Sequence, residues 1–177
     1  KPEYLKRLRT RAEQLGMYLE VMVGLPQPDG TAFENQLMAA GDVGAVAVRA
    51  GALSGRRYDN FASLQAWNEF AADSKVRIER AVPLLEKHRI PMSLENHKDW
   101  TADELVTILK RYSSEYLGVC LDTGNNIALL EGPMQVVRAL ALYTIATHVK
   151  DMGVDEYAEG FLLAEVPLGE GMLDIKA

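Results

Sequence analysis

The sequence predicts an α/β fold in which parallel strands line a (β/α) barrel. Short apolar runs alternate with amphipathic stretches of helical length along the whole chain, which is the β-α-β-α order of a parallel sheet. Runs ending at Glu95, Asp122 and His148 are apolar throughout and turn polar at their carboxyl ends, as site-bearing strands do in such folds. Residue parity on these strands favours a closed barrel over an open, doubly wound sheet.

In the first half of the chain, apolar periodicity and the positions of glycine and proline define the elements. Pro83 lies inside the longest helical stretch, and we expect it to kink or interrupt that helix because its ring clashes with the preceding turn. The predicted order is a helix at 2–15, a strand at 17–24, a loop at 25–30, a helix at 31–40, a strand at 43–50, a loop at 51–60 and a helix at 63–88.

The second half contains a clear helix start. Thr101 is the predicted N-cap and Glu104 completes a capping box, while Trp100 against Leu105 forms a hydrophobic staple. The remaining predicted elements are strands at 91–95, 117–122 and 144–149, helices from 101 and at 134–142, and a loop or short strand at 159–171.

Strand parity provides the argument for a barrel, because successive side chains of a strand point to opposite faces. We place on one face the charged strand-end residues Arg49, Glu95, Asp122 and His148. The residues two positions earlier on that face are all small: Ala47, Ser93, Cys120 and Ala146. The opposite face carries mostly bulky residues: Val48, Leu94, Leu121 and the polar exception Thr147. Small residues inside and bulky ones outside suit strands that line a barrel and pack helices against its exterior.

Composition excludes several classes of protein. The chain has 48% hydrophobic and 25% charged residues and a net charge of −6, which argues against nucleic-acid binding, since such domains carry a basic face. No apolar run approaches the roughly 18 residues that cross a membrane. The single cysteine cannot form an internal disulfide, which favours a reducing, cytoplasmic location. No glycine-rich turn follows the first strand, which argues against a dinucleotide-binding fold.

Chain length predicts an incomplete barrel. We count about five to six βα units in 177 residues, whereas a complete (β/α)8 barrel needs about 200 residues or more. We therefore expect residues 1–177 to be a single-domain fragment of a longer chain, with the first and last strands missing.

Three strand-end residues form a candidate metal site. Asp122 follows Glu95 by 27 residues and His148 follows Asp122 by 26, about one βα unit each time, so neighbouring strands would aim all three at one point. One imidazole with carboxylate oxygens suits Mn²⁺, Mg²⁺ or Co²⁺, and Zn²⁺ is also compatible. Each residue alone would more often be a helix cap or a solvated side chain; shared parity and spacing distinguish the set.

The motifs SLENHKDW, CLDTGN, THVKD and VPLGEGMLDIK resemble the xylose-isomerase-like superfamily of sugar phosphate isomerases and epimerases, which is similar in fold to endonuclease IV. The resemblance implies a (β/α)8 TIM barrel whose divalent metal is held by Glu, Asp, His and a final Glu. Glu95, Asp122 and His148 match the first three ligands, and the fourth is expected beyond Ala177.

The resemblance also implies the chemistry. Glu95 would be both ligand and acid/base in an isomerase or epimerase that works through an enediolate of a sugar or sugar phosphate. Asn125 stands where some relatives use histidine to touch substrate. His97 and Lys150 are further substrate-binding candidates, and Lys150 with Asp151 could instead orient His148. Arg49 is expected either to bind substrate or to pair with Glu20.

Alternative functions stay open. The same metal and enediolate chemistry serves dehydratases and lyases of keto-sugars or inososes, and nothing in these residues separates the two. An endonuclease IV-like phosphodiesterase would need more histidines than the three present and a basic groove. A non-catalytic barrel that has lost its metal is a further alternative, and a homo-oligomer is neither predicted nor excluded.

Overall fold

The computed structural model describes residues 2–176. Within them, parallel strands form one sheet in the order β1-β2-β3-β4-β5, which is also their order along the chain. A doubly wound sheet reverses its strand order at a switch point, and this sheet does not. The sheet is therefore the five-stranded part of a TIM barrel, as predicted. Its strands are β1 (Glu20–Met22), β2 (Ala47–Ala50), β3 (Met92–Glu95), β4 (Leu117–Asp122) and β5 (Thr144–His148).

Helices pack against the outer face of this sheet, and the hydrophobic core lies between the two layers. Leu37, Ile78 and Leu105 are fully buried there, each stabilising the fold by about 1.5–3 kcal/mol relative to exposure. The outward-facing strand residues Val48 and Leu94 belong to the same buried cluster. The helices are α1 (Pro2–Gln14), α2 (Thr31–Val43), α3 (Arg57–Asn60), α4 (Leu64–His88), α5 (Ala102–Tyr112) and α6 (Pro133–Leu140), with 3₁₀ turns at Asn125–Leu129 and Ala141–Tyr143.

The start of α5 confirms the predicted capping box. Thr101 Oγ1 accepts the backbone N–H of Glu104 at 3.3 Å, and Glu104 Oε2 accepts that of Thr101 at 2.9 Å. Both oxygens of Glu131 also accept the N–H of Ala102, at 3.2 and 3.1 Å. The reciprocal bonds satisfy donors that a helix N-terminus otherwise leaves free, and they fix where the loop after β3 ends.

Two predictions about the middle of the chain differ from the structure in detail. Pro83 does not interrupt α4, which runs as one helix over 25 residues, while the alternative of a kink stays a prediction. Pro83 is exposed, so solvent can bond the carbonyl of Glu79, which has lost its N–H partner. The segment predicted as a loop at 51–60 contains the one-turn helix α3, whose first residue, Arg57, donates its backbone N–H to the carbonyl of Lys98 at 3.0 Å.

The segment after β5 agrees with the prediction only in part. β7 (Gly160–Val166) lies within the predicted loop or short strand at 159–171, but it pairs with the unpredicted strand β6 (Asp151–Tyr157) in a separate antiparallel hairpin. Its turn, Ala158-Glu159, lacks the Asn-Gly or Asp-Gly pair that signals a tight hairpin, which is why alternation alone did not predict it. No helix among residues 2–176 is long and apolar enough to cross a bilayer.

Candidate metal centre

The ends of β3, β4 and β5 bring Glu95, Asp122 and His148 together. One ligand-type atom from each lies within 4.8 Å of the others. His148 Nδ1 is 3.0 Å from Glu95 Oε1 and 3.3 Å from Asp122 Oδ2. The predicted convergence of these three side chains is therefore present in the structure.

A register shift between β4 and β5 contributes to this convergence. Val119 pairs with Thr144, but Cys120 pairs with Ala146, so β5 carries one extra residue at that point. As a result Asp122 lies opposite His148; regular pairing would place it opposite Thr147 and turn the imidazole to the outer face. The adjacent Gly118 has no room for a side chain, since a Cβ there would collide with the carbonyl of Tyr143 and with Ile145.

The geometry of Asp122 fits a bound cation. Its side chain is fully buried, and Oδ1 accepts the backbone N–H groups of Gly124 at 2.9 Å and Asn125 at 2.8 Å. Oδ2 lies 3.3 Å from His148 Nδ1 and 3.2 Å from Lys150 Nζ, and neither contact has hydrogen-bond geometry. Two carboxylates beside one imidazole are donors that divalent cations accept. The residues present therefore fit a divalent metal.

Lys150 lies at the edge of the centre. Its Nζ is 3.2 Å from Asp122 Oδ2, 3.3 Å from Asn125 Oδ1 and 2.9 Å from Glu165 Oε1. Burial alone would lower the pKa of Lys150, but the contacts with Glu165 and Asp122 outweigh it and raise the pKa. The ammonium is thus a fixed positive charge next to the carboxylates.

Arg49 reaches the centre from β2. Its Nη1 is 3.5 Å from Glu95 Oε2, and its Nε is 3.4 Å from Glu20 Oε1. The pairing with Glu20 was one of the two alternatives predicted for this arginine, and the guanidinium also bridges to the proposed acid/base residue.

Asn125 and His97, the other two predicted substrate-binding residues, differ in how near they lie to the centre. Asn125 is buried, and its Nδ2 has no hydrogen-bond partner among residues 2–176; because its Oδ1 faces Lys150, the residue lies beside the centre. His97 is half-buried and donates its backbone N–H to Asp99 Oδ1 at 3.1 Å. Its Nδ1 is also buried without a hydrogen-bond partner in the described chain, and His97 does not belong to the cluster of three metal-ligand candidates.

Some residues around the centre were missed or misjudged from sequence. Asp151, expected to orient His148 or the substrate, instead accepts backbone N–H bonds from Gly169, Gly171, Leu173 and its neighbour Met152. The glycine pair in PLGEG is the sequence signal for such a close approach. Glu165 pairs with Lys150 and does not belong to the cluster of Glu95, Asp122 and His148. The fourth ligand itself stays a prediction.

Cys120 lies on the inner face of β4 and is buried. Burial, followed by the nearby charge of Glu95, raises the pKa of its thiol to about 11. A thiol in this state is a poor nucleophile and a poor metal ligand at neutral pH, which supports the interpretation that Cys120 fills space inside the barrel.

Comparisons with known proteins agree with this description. The family model for the xylose isomerase-like TIM barrel matches residues 2–177. The 3-oxo-isoapionate decarboxylase of Pectobacterium atrosepticum is 29% identical over 180 residues, which cover 99% of this chain and 60% of the relative. The chain thus spans three-fifths of the length of this curated relative.

Solved structures share the fold at low identity. A xylose isomerase-like TIM barrel protein from Mycobacterium smegmatis, in complex with magnesium, has a TM-score of 0.69 and 17% identity and covers 97% of this chain and 64% of its own. An L-ribulose 3-epimerase has a TM-score of 0.68 and 16% identity, with 96% and 59% covered.

Proposed function

The chain belongs to the xylose isomerase-like TIM barrel family, and on that premise we propose that it is a divalent-metal-dependent enzyme that moves a proton next to the carbonyl of a small sugar or sugar derivative. The observation that carries the proposal is the convergence of Glu95, Asp122 and His148, with the buried Asp122 Oδ2 facing both His148 Nδ1 and Lys150 Nζ. The magnesium complex of a structural relative supports a divalent ion in general.

In this proposal Glu95, Asp122 and His148 hold the cation, with Mn²⁺, Mg²⁺ or Co²⁺ favoured and Zn²⁺ compatible. When bound, the cation supplies Lewis-acid chemistry, stabilising negative charge that develops on substrate oxygens.

Glu95 is the proposed acid/base. Its side chain is 9% exposed, so little water competes with substrate for its oxygens. One carboxylate oxygen faces His148 and the other faces Arg49, which supplies a counter-charge at 3.5 Å. A carboxylate held this way accepts the proton from the carbon next to the substrate carbonyl and returns it or passes it on.

Lys150, Asn125, Arg49 and His97 are the proposed substrate-binding groups. The ammonium of Lys150 and the unpaired amide donor of Asn125 lie side by side, an arrangement that binds hydroxyl or carboxylate oxygens. His97 offers an unpaired ring nitrogen from the loop after β3. Together these groups favour a polyhydroxylated, sugar-like substrate of small size.

Two kinds of reaction pass through the same enediolate. Returning the proton to the carbon gives an isomerase or epimerase, which the L-ribulose 3-epimerase among the structural relatives supports. A 3-oxo acid instead loses carbon dioxide to give the enediolate, which is then protonated; the decarboxylase relative favours this lyase alternative, and Lys150 or Arg49 could hold the departing carboxylate.

The test is an assay in D₂O with the protein stripped by chelator and reloaded with Mn²⁺, Mg²⁺ or Co²⁺. Ketoses, aldoses and a polyhydroxylated 3-oxo acid are the substrates, and proton NMR follows deuterium incorporation while headspace analysis follows carbon dioxide. Metal-dependent exchange with an isomeric product and no carbon dioxide indicates an isomerase or epimerase, loss of water from the product indicates a dehydratase, and release of carbon dioxide indicates a decarboxylase. Turnover that is identical in the stripped protein would contradict the proposal.

A further inference from the structure

Asn96 is a fully buried amide directly after Glu95, at the carboxyl end of β3. Its side chain lies against the last residue of β4. Asn96 Oδ1 accepts the backbone N–H of Asp122 at 2.8 Å, and Asn96 Nδ2 donates to the backbone carbonyl of Asp122 at 2.9 Å.

This pair of bonds imitates a sheet ladder. A primary amide carries the same donor and acceptor as a peptide unit, so Asn96 extends the pairing of β3 with β4 beyond Glu95, whose own partner is Cys120. Buried backbone groups need partners, and the strands supply none here because the chain leaves β3 at this point. The Asn96 side chain therefore fixes the backbone of Asp122 where the regular ladder has ended.

The rest of Asp122 is also fixed. On its other side Asp122 pairs with His148 of β5, and its Oδ1 is held by two backbone N–H groups. Only Oδ2 is left to face the centre, and its position follows from the backbone that Asn96 holds. Asn96 thus connects two proposed ligands, covalently to Glu95 and by hydrogen bonds to Asp122.

Asn96 is itself held by a second amide. Its Nδ2 also donates to Asn126 Oδ1 at 2.8 Å, and Asn126 Nδ2 donates to Glu131 Oε2 at 2.5 Å and to the carbonyl of Trp100 at 3.3 Å. Asn126 has no described side-chain contact with Asp122, so it shares the network and the burial of Asn96 without touching the proposed ligand.

We propose that Asn96 is the positioning residue of the metal centre, setting the separation of the Glu95 and Asp122 carboxylates. The inference rests on the proposed function. It predicts that removing the Asn96 amide weakens metal binding more than removing the Asn126 amide, which belongs to the same buried network.

The test compares N96A and N96D with N126A in the full protein chain, using Co²⁺ as the probe. Calorimetry gives the Co²⁺ affinity, the visible spectrum of bound Co²⁺ reports ligand geometry, and thermal unfolding without metal reports the structural cost. We expect N96A to bind Co²⁺ about 10–100-fold more weakly, the usual effect of removing a group that orients a metal ligand, with an altered spectrum. N126A should lose stability but keep the wild-type spectrum and an affinity within a few-fold.

N96D provides a second variant of the same shape. It keeps the acceptor for the N–H of Asp122 but replaces the donor, and any added negative charge would by itself strengthen cation binding. Weaker Co²⁺ binding by N96D therefore supports positioning.

Four results would overturn the inference. Wild-type affinity and spectrum in both N96A and N96D would refute the positioning role and leave the proposed function standing. Losses equal to those of N126A, or a failure of both variants to fold, would do the same, since either indicates a purely structural role. An absence of Co²⁺ binding by the wild-type protein would refute the proposed function together with it.

Discussion

Each carboxylate oxygen of Glu95 faces a different nitrogen. Oε1 faces His148 Nδ1 at 3.0 Å and Oε2 faces Arg49 Nη1 at 3.5 Å, so the group can bind a cation through one oxygen while the other stays near substrate. The same arginine contacts Glu20, which lies on the inner face but outside the proposed metal centre. Substituting Glu20 removes an Arg49 contact alone, whereas substituting Glu95 removes an Arg49 contact and the proposed base. Comparing the two variants therefore separates these effects.

We predict that E95Q loses turnover far more than it loses metal. Glutamine keeps the shape and a carbonyl oxygen for coordination but cannot accept a proton, so turnover should fall about 10²–10⁴-fold, while metal content changes little. Exchange of the substrate hydrogen with D₂O and metal analysis measure the two effects. E20Q is the control and should retain turnover within about tenfold, because general acid–base catalysis is intact. Near-normal exchange in E95Q would show that another residue is the base.

At the scale of elements, Asp151 fastens the loop after β7 to the start of β6. Its carboxylate is fully buried and accepts four backbone N–H bonds, three of them from Gly169, Gly171 and Leu173. A side chain at Gly171 would collide with that carboxylate. The hairpin places Glu165 2.9 Å from Lys150. The loop and hairpin that Asp151 holds together therefore help to position the Lys150 ammonium at the edge of the metal centre.

The acid side of stability should depend on Asp151. Burial alone would raise its pKa, but the backbone N–H donors outweigh burial and lower the pKa from its ordinary value of 3.8. A carboxyl group with a lowered folded-state pKa stabilises the fold above that ordinary value, and the contribution disappears as pH falls through the folded-state pKa. The Tm difference between wild type and D151N should therefore be largest near neutral pH and shrink below about pH 4.

The matched control is D155N, which changes an exposed aspartate on the same strand. It should leave the pH dependence of Tm unchanged. A Tm difference between wild type and D151N that stays constant down to about pH 3 would mean that the Asp151 carboxylate does not titrate with the fold.

The sequence predicts where these strands end because apolar runs turn polar at Glu95 and Asp122. At these positions the buried strand stops and the polar site begins, so one change in residue type marks both. The sequence could not predict the register shift opposite Cys120, since an extra residue in β5 leaves no mark in composition or alternation. The hydrogen bonds of Asn96 to the backbone of Asp122 could not be predicted either, because an asparagine at a strand end is as often exposed to solvent as bonded to a neighbouring strand. Such contacts depend on the relative heights of neighbouring strands, which only the packed structure defines.

At the scale of the whole molecule, three adjacent strands each contribute one proposed ligand. A cation bound by Glu95, Asp122 and His148 would cross-link β3, β4 and β5. In the unfolded chain the same residues are separated by 27 and 26 positions, so they would bind the ion far more weakly. Binding that favours the folded state stabilises it by mass action, and the parallel sheet and the metal centre should therefore unfold as one unit.

The last prediction follows from that linkage. At a free Mn²⁺ or Co²⁺ concentration of about 100 times Kd, the folded state gains about 2.7 kcal/mol, which should raise Tm by roughly 5–11 °C for a domain of this size. H148A should abolish the rise, because it removes the imidazole from the centre. H88A is the matched control: its imidazole pairs with Glu34 at 2.9 Å, away from the three strand ends, so it should keep the metal-dependent rise even if it lowers Tm. Calorimetric scans of the three proteins with metal and with chelator decide the matter, since an equal rise in H148A and wild type would place the bound metal elsewhere.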